Sequence, residues 1–251
     1  MKILVVGGGG REHAIVWKIA QSPKVDKIYC APGNGGIAEL AECVDIAATD
    51  IENMVKFAKD NAIDLVMVAP DDPLVLGMVD AMEKEGIRAF GPRANAAIIE
   101  GSKAFSKELM KKYNIPTANY EVFTDSTSAI DYIKAQNTFP TVIKADGLAL
   151  GKGVIIAQNL EEAEQAVHEM IDDGKFGKSG SRVVIEEFLT GPEVSVLAFT
   201  DGKTVKPMVS AQDHKRAYDN DEGLNTGGMG TFSPSRLYDD AKAEECMKNI
   251  F

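Results

Sequence analysis

Cysteine is scarce in this chain: three residues, Cys30, Cys43 and Cys246, in 251 positions. None is spaced as CxxC and none has a histidine cluster beside it, so a zinc site or redox pair is not expected, and three buried thiols are the ordinary reading. Basic residues are short as well. The 27 Lys and Arg stand against 38 Asp and Glu, a formal charge of −11, which leaves no broad basic face for a nucleic acid but still allows small anions at local sites. Long apolar runs are missing too. The four apolar residues 3–6 are too few for a signal segment and no later run reaches membrane-spanning length, so a cytoplasmic protein without membrane or nucleic-acid partners is expected. There is no internal repeat and no low-complexity tract. What remains, 45% hydrophobic and 26% charged, is too apolar for disorder and long enough for about two domains.

Residues 3–6 are apolar and mostly β-branched, glycines fill 7–10, and Ala14, Ile15, Trp17, Ile19 and Ala20 predict an amphipathic helix over 12–20. A second strand is predicted over 27–31, ended by Pro32-Gly33-Asn34-Gly35-Gly36, then a helix over 51–61 and a strand over 63–69 that is apolar but for Asp64. Pro73 near its first position starts a helix running to Gly86, and a short strand over 87–90 closes at Gly91-Pro92. Such alternation predicts a parallel sheet, an α/β Rossmann-like domain ending near Gly101. Beyond a helix over 103–113 the pattern changes. Strands over 140–145, 154–157, 182–188 and 193–200, a helix over 160–173 and a hairpin at Asp201-Gly202 predict an antiparallel α+β domain. Residues 211–235, rich in Asp, Asn and Gly and without periodicity, read as a long functional loop.

The glycine turn does not carry the dinucleotide fingerprint GxGxxG. Counted from Gly7 the last place is Glu12, counted from Gly8 it is His13, and the second strand ends in Ala31-Pro32 where a ribose-binding acid is required. A nicotinamide dehydrogenase is therefore only a rival, open to titration with NADH. What survives is an anion seat made of backbone N–H groups at a helix start, with Arg11 adding charge; a tight turn without a ligand is the alternative.

Lys144 stands on a strand otherwise made of Thr141, Val142, Ile143 and Ala145. Buried alone it would cost several kcal/mol, so an anionic partner is implied. The stretch DGLALGKG follows, with Gly147, Gly151 and Gly153 around Lys152. It suits a flap whose amides cover nucleotide phosphates between two strands and is unlike a Walker A loop; an idle hairpin is the alternative. In RVVIEEFLTGPE, Glu186 and Glu187 are neighbours on a strand and point to opposite sides, so they cannot share one task. Glu193, after a Gly-Pro turn, suits ribose hydroxyls or plain solvent. Further on, Asp213, His214, Lys215 and Arg216, then Thr226-Gly227-Gly228, set both charges beside glycines. That mixture can clamp a zwitterionic amino acid and a phosphate, or be a solvated loop.

The segments VVGGGGREHAI, APGNGG, SKAFSKELMKKYNIPTA, PTVIKADGLALGKGV, EEFLTGPEVSV and QDHKRAYDNDEGLNTGGMGTFSP run in order from residue 1 to about Pro234. Together they resemble the phosphoribosylamine–glycine ligase family, also called glycinamide ribonucleotide synthetases, ATP-grasp enzymes of purine biosynthesis. The resemblance implies a pre-grasp domain over 1–101 and an ATP-grasp domain over 102–251, with a lid at about 122–190. It also implies that Lys103, Lys144, Gly147, Gly151, Lys152, Gly153, Glu186, Glu187, Leu189 and Glu193 hold ATP, Glu186 and Leu189 at the adenine and Glu193 at the ribose. Lys144, Asp213 and Lys215 would serve the chemistry. Gly8, Gly9, Gly10, Arg11, Asn34, Asp71, Asp213, Lys215, Arg216, Thr226 and Gly227 would face the substrates, glycine and 5-phosphoribosylamine, the glycine turn meeting the latter. ATP with Mg²⁺ or Mn²⁺, and a monomeric state, belong to the same expectation.

Two departures from the family pattern stand out. The chain reads APDDPL where the family has GPEAPL, which puts Ala69 for Gly and Asp71 for Glu and shortens a carboxylate expected near the amine. The family stretch EFNxRFGDPE, with its magnesium-binding Glu and Asn, does not occur in the 251 residues. No metal ligand is therefore expected within this chain, and it reads as a C-terminally truncated form. The expected reaction is ATP-dependent joining of glycine to phosphoribosylamine through a glycyl phosphate. The rivals are another ATP-grasp carboxylate–amine ligase and a nucleotide-binding fragment without activity.

Overall fold

The computed structural model describes residues 1–148 and 153–251. They form two compact units, residues 1–108 with 120–186 and residues 109–119 with 187–251.

The first unit opens with β1 (Lys2–Gly7), α1 (Gly10–Ala20), β2 (Lys27–Pro32), β3 (Glu42–Cys43), α2 (Ile51–Asp60) and β4 (Leu65–Val68). It continues through α3 (Asp71–Val75), α4 (Met78–Lys84), β5 (Ala89–Phe90) and α5 (Ala94–Gly101). The five strands lie in the order β3-β2-β1-β4-β5, all parallel. β1 is central because its residues alternate between two cores: Leu4 and Val6 join Met54, Val66, Met78 and Met82, while Ile3 and Val5 join Val16, Ile28 and Ile37. β2 and β4 flank it on opposite sides, so the chain switches direction across the sheet at the carboxyl end of β1, where such sheets open a ligand crevice. The single helix predicted from Pro73 to Gly86 is in fact two, α3 and α4. Gly77 breaks it at φ +90°, a left-handed conformation that only glycine adopts freely.

The same unit then adds the first part of α6 (Lys103–Tyr113), up to Glu108, then β6 (Tyr120–Phe123), α7 (Ser126–Gln136), β7 (Thr141–Ala145), β8 (Val154–Ala157), α8 (Leu160–Ile171) and β9 (Val183–Glu187) up to Glu186. A four-stranded sheet, β6-β9-β7-β8, buries Ile143, Val183 and Ile185 against Ile130 and Ile133 of α7 and Val167 and Met170 of α8. Side chains of Asp125 and Asn159 accept the first-turn N–H groups of Ser128 and Glu162, which fixes where α7 and α8 begin.

In the second unit β10 (Ala198–Thr200) and β11 (Val205–Pro207) pair antiparallel around Asp201-Gly202, the predicted hairpin. The first of them is shorter than the strand predicted over 193–200; Ser195 makes only an isolated bridge to Ala211. Residues 211–235 differ from the aperiodic loop expected there. β12 (Gln212–Asp213) pairs with β15 (Thr231–Phe232), and between them β13 (Arg216–Tyr218) pairs with β14 (Glu222–Asn225). Strands of two to four residues are too short to display an alternation of period two, which is why the pattern hid them. α9 (Asp240–Asn249) follows. Among the described residues of this unit Ala118 is the only buried apolar side chain, while Leu197, Phe199, Met208 and Val209 are exposed.

The cysteines differ from the expectation of three buried thiols. Cys30 is buried, but Cys43 is exposed and Cys246 partly so, because Cys43 ends a two-residue edge strand. Among the described residues no helix is long and apolar enough to cross a membrane.

Candidate active site

At the carboxyl end of β1, Gly7 has φ +117°, and a Cβ there would lie 2.8 Å from Pro70 Cγ. A Cβ on Gly8 would lie 2.5 Å from the Gly33 carbonyl oxygen, so only bare backbone lets the turn and the loop after β2 touch. Hydrogen bonds fasten the two. Gly33 N donates to Gly7 O at 3.0 Å, Asn34 Nδ2 donates to Gly8 O at 2.9 Å, and Asn34 Oδ1 accepts from Ile37 N at 2.9 Å. Glu12, buried, accepts from Gly9 N at 2.6 Å and so caps α1, where its charge suits the positive end of the helix. Gly10 has no neighbour within 4 Å of a Cβ, and the amides of Gly10 and Arg11 lie in the first helical turn, which has no intrahelical acceptor to offer them. Arg11 Nη1 stands 3.9 Å from Asp71 Oδ1, both exposed, with Asp71 opening α3 after β4. Gly8, Gly9, Gly10, Arg11, Asn34 and Asp71 are thus brought together at the switch point, a cation and open amides for an anion beside a carboxylate for an amine.

A second constellation lies between α6 and the four-stranded sheet. The Asp146 carboxylate, just past β7, accepts from Ala104 N at 2.7 Å, Ser102 Oγ at 3.0 Å and Arg182 Nε at 2.9 Å. Asp146 O also accepts from Lys103 N at 3.0 Å. The start of α6 is therefore capped by a residue from a distant strand, and this pins its lysines over Lys144. Lys103 Nζ donates to Gly147 O at 2.9 Å. Lys107, one turn later and buried, pairs with Glu186 Oε2 at 3.1 Å; Lys144 Nζ pairs with Glu186 Oε1, also at 3.1 Å. Two amines thus share the Glu186 carboxylate, with Lys103 beside them on the Gly147 carbonyl, and Asp146 is paired with Arg182. Burial holds the Lys103 amine below the usual lysine range; Asp146 opposes that shift and the neighbouring Lys144 charge adds to it.

The anionic partner of Lys144 in the structure is Glu186, a buried acid on β9. Gly147 is needed where it stands, since a Cβ would run into the Ser179 side chain. Gly153 is buried beside β8 and its carbonyl accepts from Ala145 N at 2.8 Å. Gly151 and Lys152 lie outside the described residues. Glu187 points away from Glu186, as strand alternation requires, and accepts from Asn119 Nδ2 at 3.0 Å; Leu189 is exposed. Lys107 escaped the sequence reading, although its position four residues after Lys103 puts both on one face of α6. Among the described residues there is no group of three or more His, Cys, Asp or Glu placed to hold a metal ion.

In the second unit Lys215 Nζ sits 2.8 Å from Glu193 Oε2 and 3.7 Å from Asp213 Oδ2, and the hydrogen bond to Glu193 holds its pKa above the usual lysine value. Thr226 N and Oγ1 both donate to Lys215 O, at 2.6 and 2.9 Å, and Gly228 N donates to Thr226 Oγ1 at 3.0 Å. Gly227 is open, with nothing within 4 Å of a Cβ. Arg216 turns instead to the Gly223 carbonyl at 2.6 Å, bracing the β13–β14 ladder. Glu193, Asp213, Lys215, Thr226 and Gly227 therefore form one polar group, with Arg216 aside from it.

Residues 1–100 match the family described as phosphoribosylglycinamide synthetase, N domain, and residues 101–251 match phosphoribosylglycinamide synthetase, ATP-grasp (A) domain. A phosphoribosylamine–glycine ligase of Halalkalibacterium halodurans is 53% identical over 250 residues, which is all of this chain and 58% of that protein. The crystal structure of a phosphoribosylamine–glycine ligase from Thermotoga maritima superimposes with a TM-score of 0.82 at 31% identity, over 99% of this chain and 60% of that one. At the level of fold alone, the biotin carboxylase domain of Hydrogenobacter thermophilus 2-oxoglutarate carboxylase, solved with ADP and magnesium, gives a TM-score of 0.77 at 18% identity, over 99% of this chain and 56% of that one. The chain thus spans a little under three fifths of the length of the curated relatives it matches.

Proposed function

The chain belongs to the phosphoribosylglycinamide synthetase family, with a parallel-sheet N domain followed by an ATP-grasp domain, and from that premise we propose that it acts in joining glycine to 5-phosphoribosylamine at the expense of ATP. A carboxylate is a poor electrophile. In the proposed reaction the glycine carboxylate takes the γ-phosphoryl group, and the amine of phosphoribosylamine then displaces phosphate from the glycyl phosphate to form the amide. No side-chain nucleophile takes part, so the protein supplies positioning and charge neutralisation.

The observation that carries this reading is the cluster of Lys107 and Lys144 on the Glu186 carboxylate with Lys103 beside them on the Gly147 carbonyl. Amines gathered beside Gly147 fit a polyphosphate, arriving with Mg²⁺ or Mn²⁺. Gly151, Lys152 and Gly153 would close over it, with Glu186, Glu187, Leu189 and Glu193 serving adenine and ribose. Gly8, Gly9, Gly10, Arg11, Asn34 and Asp71 would seat phosphoribosylamine. Asp213, Lys215, Arg216, Thr226 and Gly227 would seat glycine and the transferred phosphoryl, Asp213, Lys215 and Lys144 at the reacting atoms. In this reading 1–101 is the pre-grasp domain and 102–251 the ATP-grasp domain, in a cytoplasmic monomer acting on small molecules.

Two measurements test the proposal. Mg-ATP at a hundred times its Kd is expected to stabilise the chain by about 2.7 kcal/mol, or about 5–10 °C in Tm, and Lys144→Met to weaken binding at least tenfold. Unchanged affinity in Lys144→Met overturns the nucleotide grip. Release of ADP that needs both glycine and phosphoribosylamine is the mark of the ligase. Release with other acid and amine pairs points to a different carboxylate–amine ligase, and binding without any release points to a nucleotide-binding chain.

A further inference from the structure

Two thiols that the proposed chemistry does not use meet at the carboxyl edge of the first sheet. Cys30 of β2 and Cys43 of β3 are register partners across a parallel pair. Partners so placed lie about 4.8 Å apart with side chains on one face, inside the range of about 4.4–6.8 Å between Cα atoms that a disulfide accepts. Gly33 keeps the space between them clear. A Cβ there would lie 2.5 Å from Cys43 Sγ and 3.5 Å from Cys30 Cβ, so any other residue would wedge the pair apart.

Each sulfur also holds a loop of the glycine-turn site. Cys30 Sγ donates to Gly7 O at 3.3 Å, and Cys43 Sγ donates to Asn34 O at 3.6 Å. Asn34 in turn donates to Gly8 O. The thiols differ in access: Cys43 is exposed and Cys30 buried. Burial pushes Cys30 up to about 12, so Cys43 is the thiol that meets an oxidant first.

We propose that Cys30 and Cys43 form a dithiol that a hydroperoxide closes into a disulfide, and that closure loosens the glycine turn. The Cys43 thiolate attacks the peroxide; the O–O bond breaks, leaving a sulfenic acid on Cys43 and an alcohol, or water when the oxidant is hydrogen peroxide. The Cys30 sulfur then attacks the sulfenic sulfur. The S–S bond forms as the S–O bond breaks, and the Cys30 proton leaves with the hydroxide as water. The two thiols lose two electrons and the peroxide gains them. A disulfide sulfur has no hydrogen to donate, so Gly7 O and Asn34 O both lose a partner and the turn keeps only its backbone, Glu12 and Asn34 ties.

The test reads mass and amide exchange on the 251-residue protein and is independent of its activity. With hydrogen peroxide the expected result is a loss of about 2 Da, a fall from three free thiols to one, and a cross-linked peptide pair carrying Cys30 and Cys43. Amide exchange over residues 7–13 and 33–36 should rise severalfold, and dithiothreitol should reverse every change. Cys43→Ser should abolish both the cross-link and the peroxide-dependent rise in exchange. Oxidation of Cys43 to sulfinic acid with Cys30 still free, or a cross-link involving Cys246 or a second chain, overturns the pairing. A Cys30–Cys43 disulfide with unchanged exchange at the turn overturns its coupling to the site.

Discussion

At Glu186 a buried carboxylate faces Lys107 and Lys144 together, and an amide in its place removes the countercharge from both. Glu186→Gln is expected to lose about 3–5 kcal/mol in urea unfolding without nucleotide, and to recover part of that with Mg-ATP. A loss below about 1 kcal/mol contradicts the picture of a shared counterion. Lys103 gives a pH test. Its folded pKa lies below the unfolded value of 10.5, so the unfolded chain binds more protons between the two, and this group's contribution to stability rises with pH through that window. Bound phosphate favours the charged amine again, so Mg-ATP binding within that window should take up a proton, seen as a buffer-dependent heat that Lys103→Met removes. Gly8→Ala, whose methyl would meet the Gly33 carbonyl, should cost about 2 kcal/mol or more and lower Tm by several degrees. Lys144 and the glycine turn were legible in sequence because each conflicts with its surroundings: a charge on an apolar strand, four glycines where a helix begins. Lys107 and the Asp146–Arg182 pair were not, because their partners come from segments that only the fold brings near. Glu12 was seen only as the residue that spoils a dinucleotide fingerprint, whereas its spacing from Gly9 is that of a helix cap.

Among the elements, β1, β2, β4, α6, β7, β8 and β9 were recognisable because each joins a strong apolar pattern to a clear stop. α7 and α9 were missed even though each carries a written start. Asp125 stands three residues before Ser128, and Asp239 three before Lys242; both carboxylates accept the corresponding N–H, at 2.8 and 2.9 Å. Asp125→Ala should therefore lower the midpoint of denaturant unfolding by the equivalent of about 1 kcal/mol, with Asp125→Ser restoring most of it. An unchanged midpoint would mean that packing of Ile130 and Ile133, and not the cap, fixes the helix. The split between α3 and α4 was hidden because apolar residues continue on both sides of Gly77, and a backbone reversal at one glycine leaves the hydrophobic count unaltered.

Taken whole, the molecule is uneven in how much apolar surface it hides. The first unit holds three buried clusters, whereas the second has Ala118 alone among its described residues and turns Leu197, Phe199, Met208 and Val209 to solvent. Amides of β10 to β15 should exchange at least tenfold faster than those of β1 and β4, and a dye that brightens on apolar surfaces should bind the native chain; equal exchange across the two units contradicts this. Charge was legible at this scale only as a total, since −11 conceals the gathering of Lys103, Lys107 and Lys144 near Glu186. The amine trio also orders events on the ribosome. Lys103, Lys107 and Lys144 emerge well before Glu186, so Lys107 and Lys144 lack their shared carboxylate until translation has passed residue 186. Any triphosphate trap built on it is consequently born late, and a ribosome stalled before that codon would display Lys107 and Lys144 without the acid that joins them.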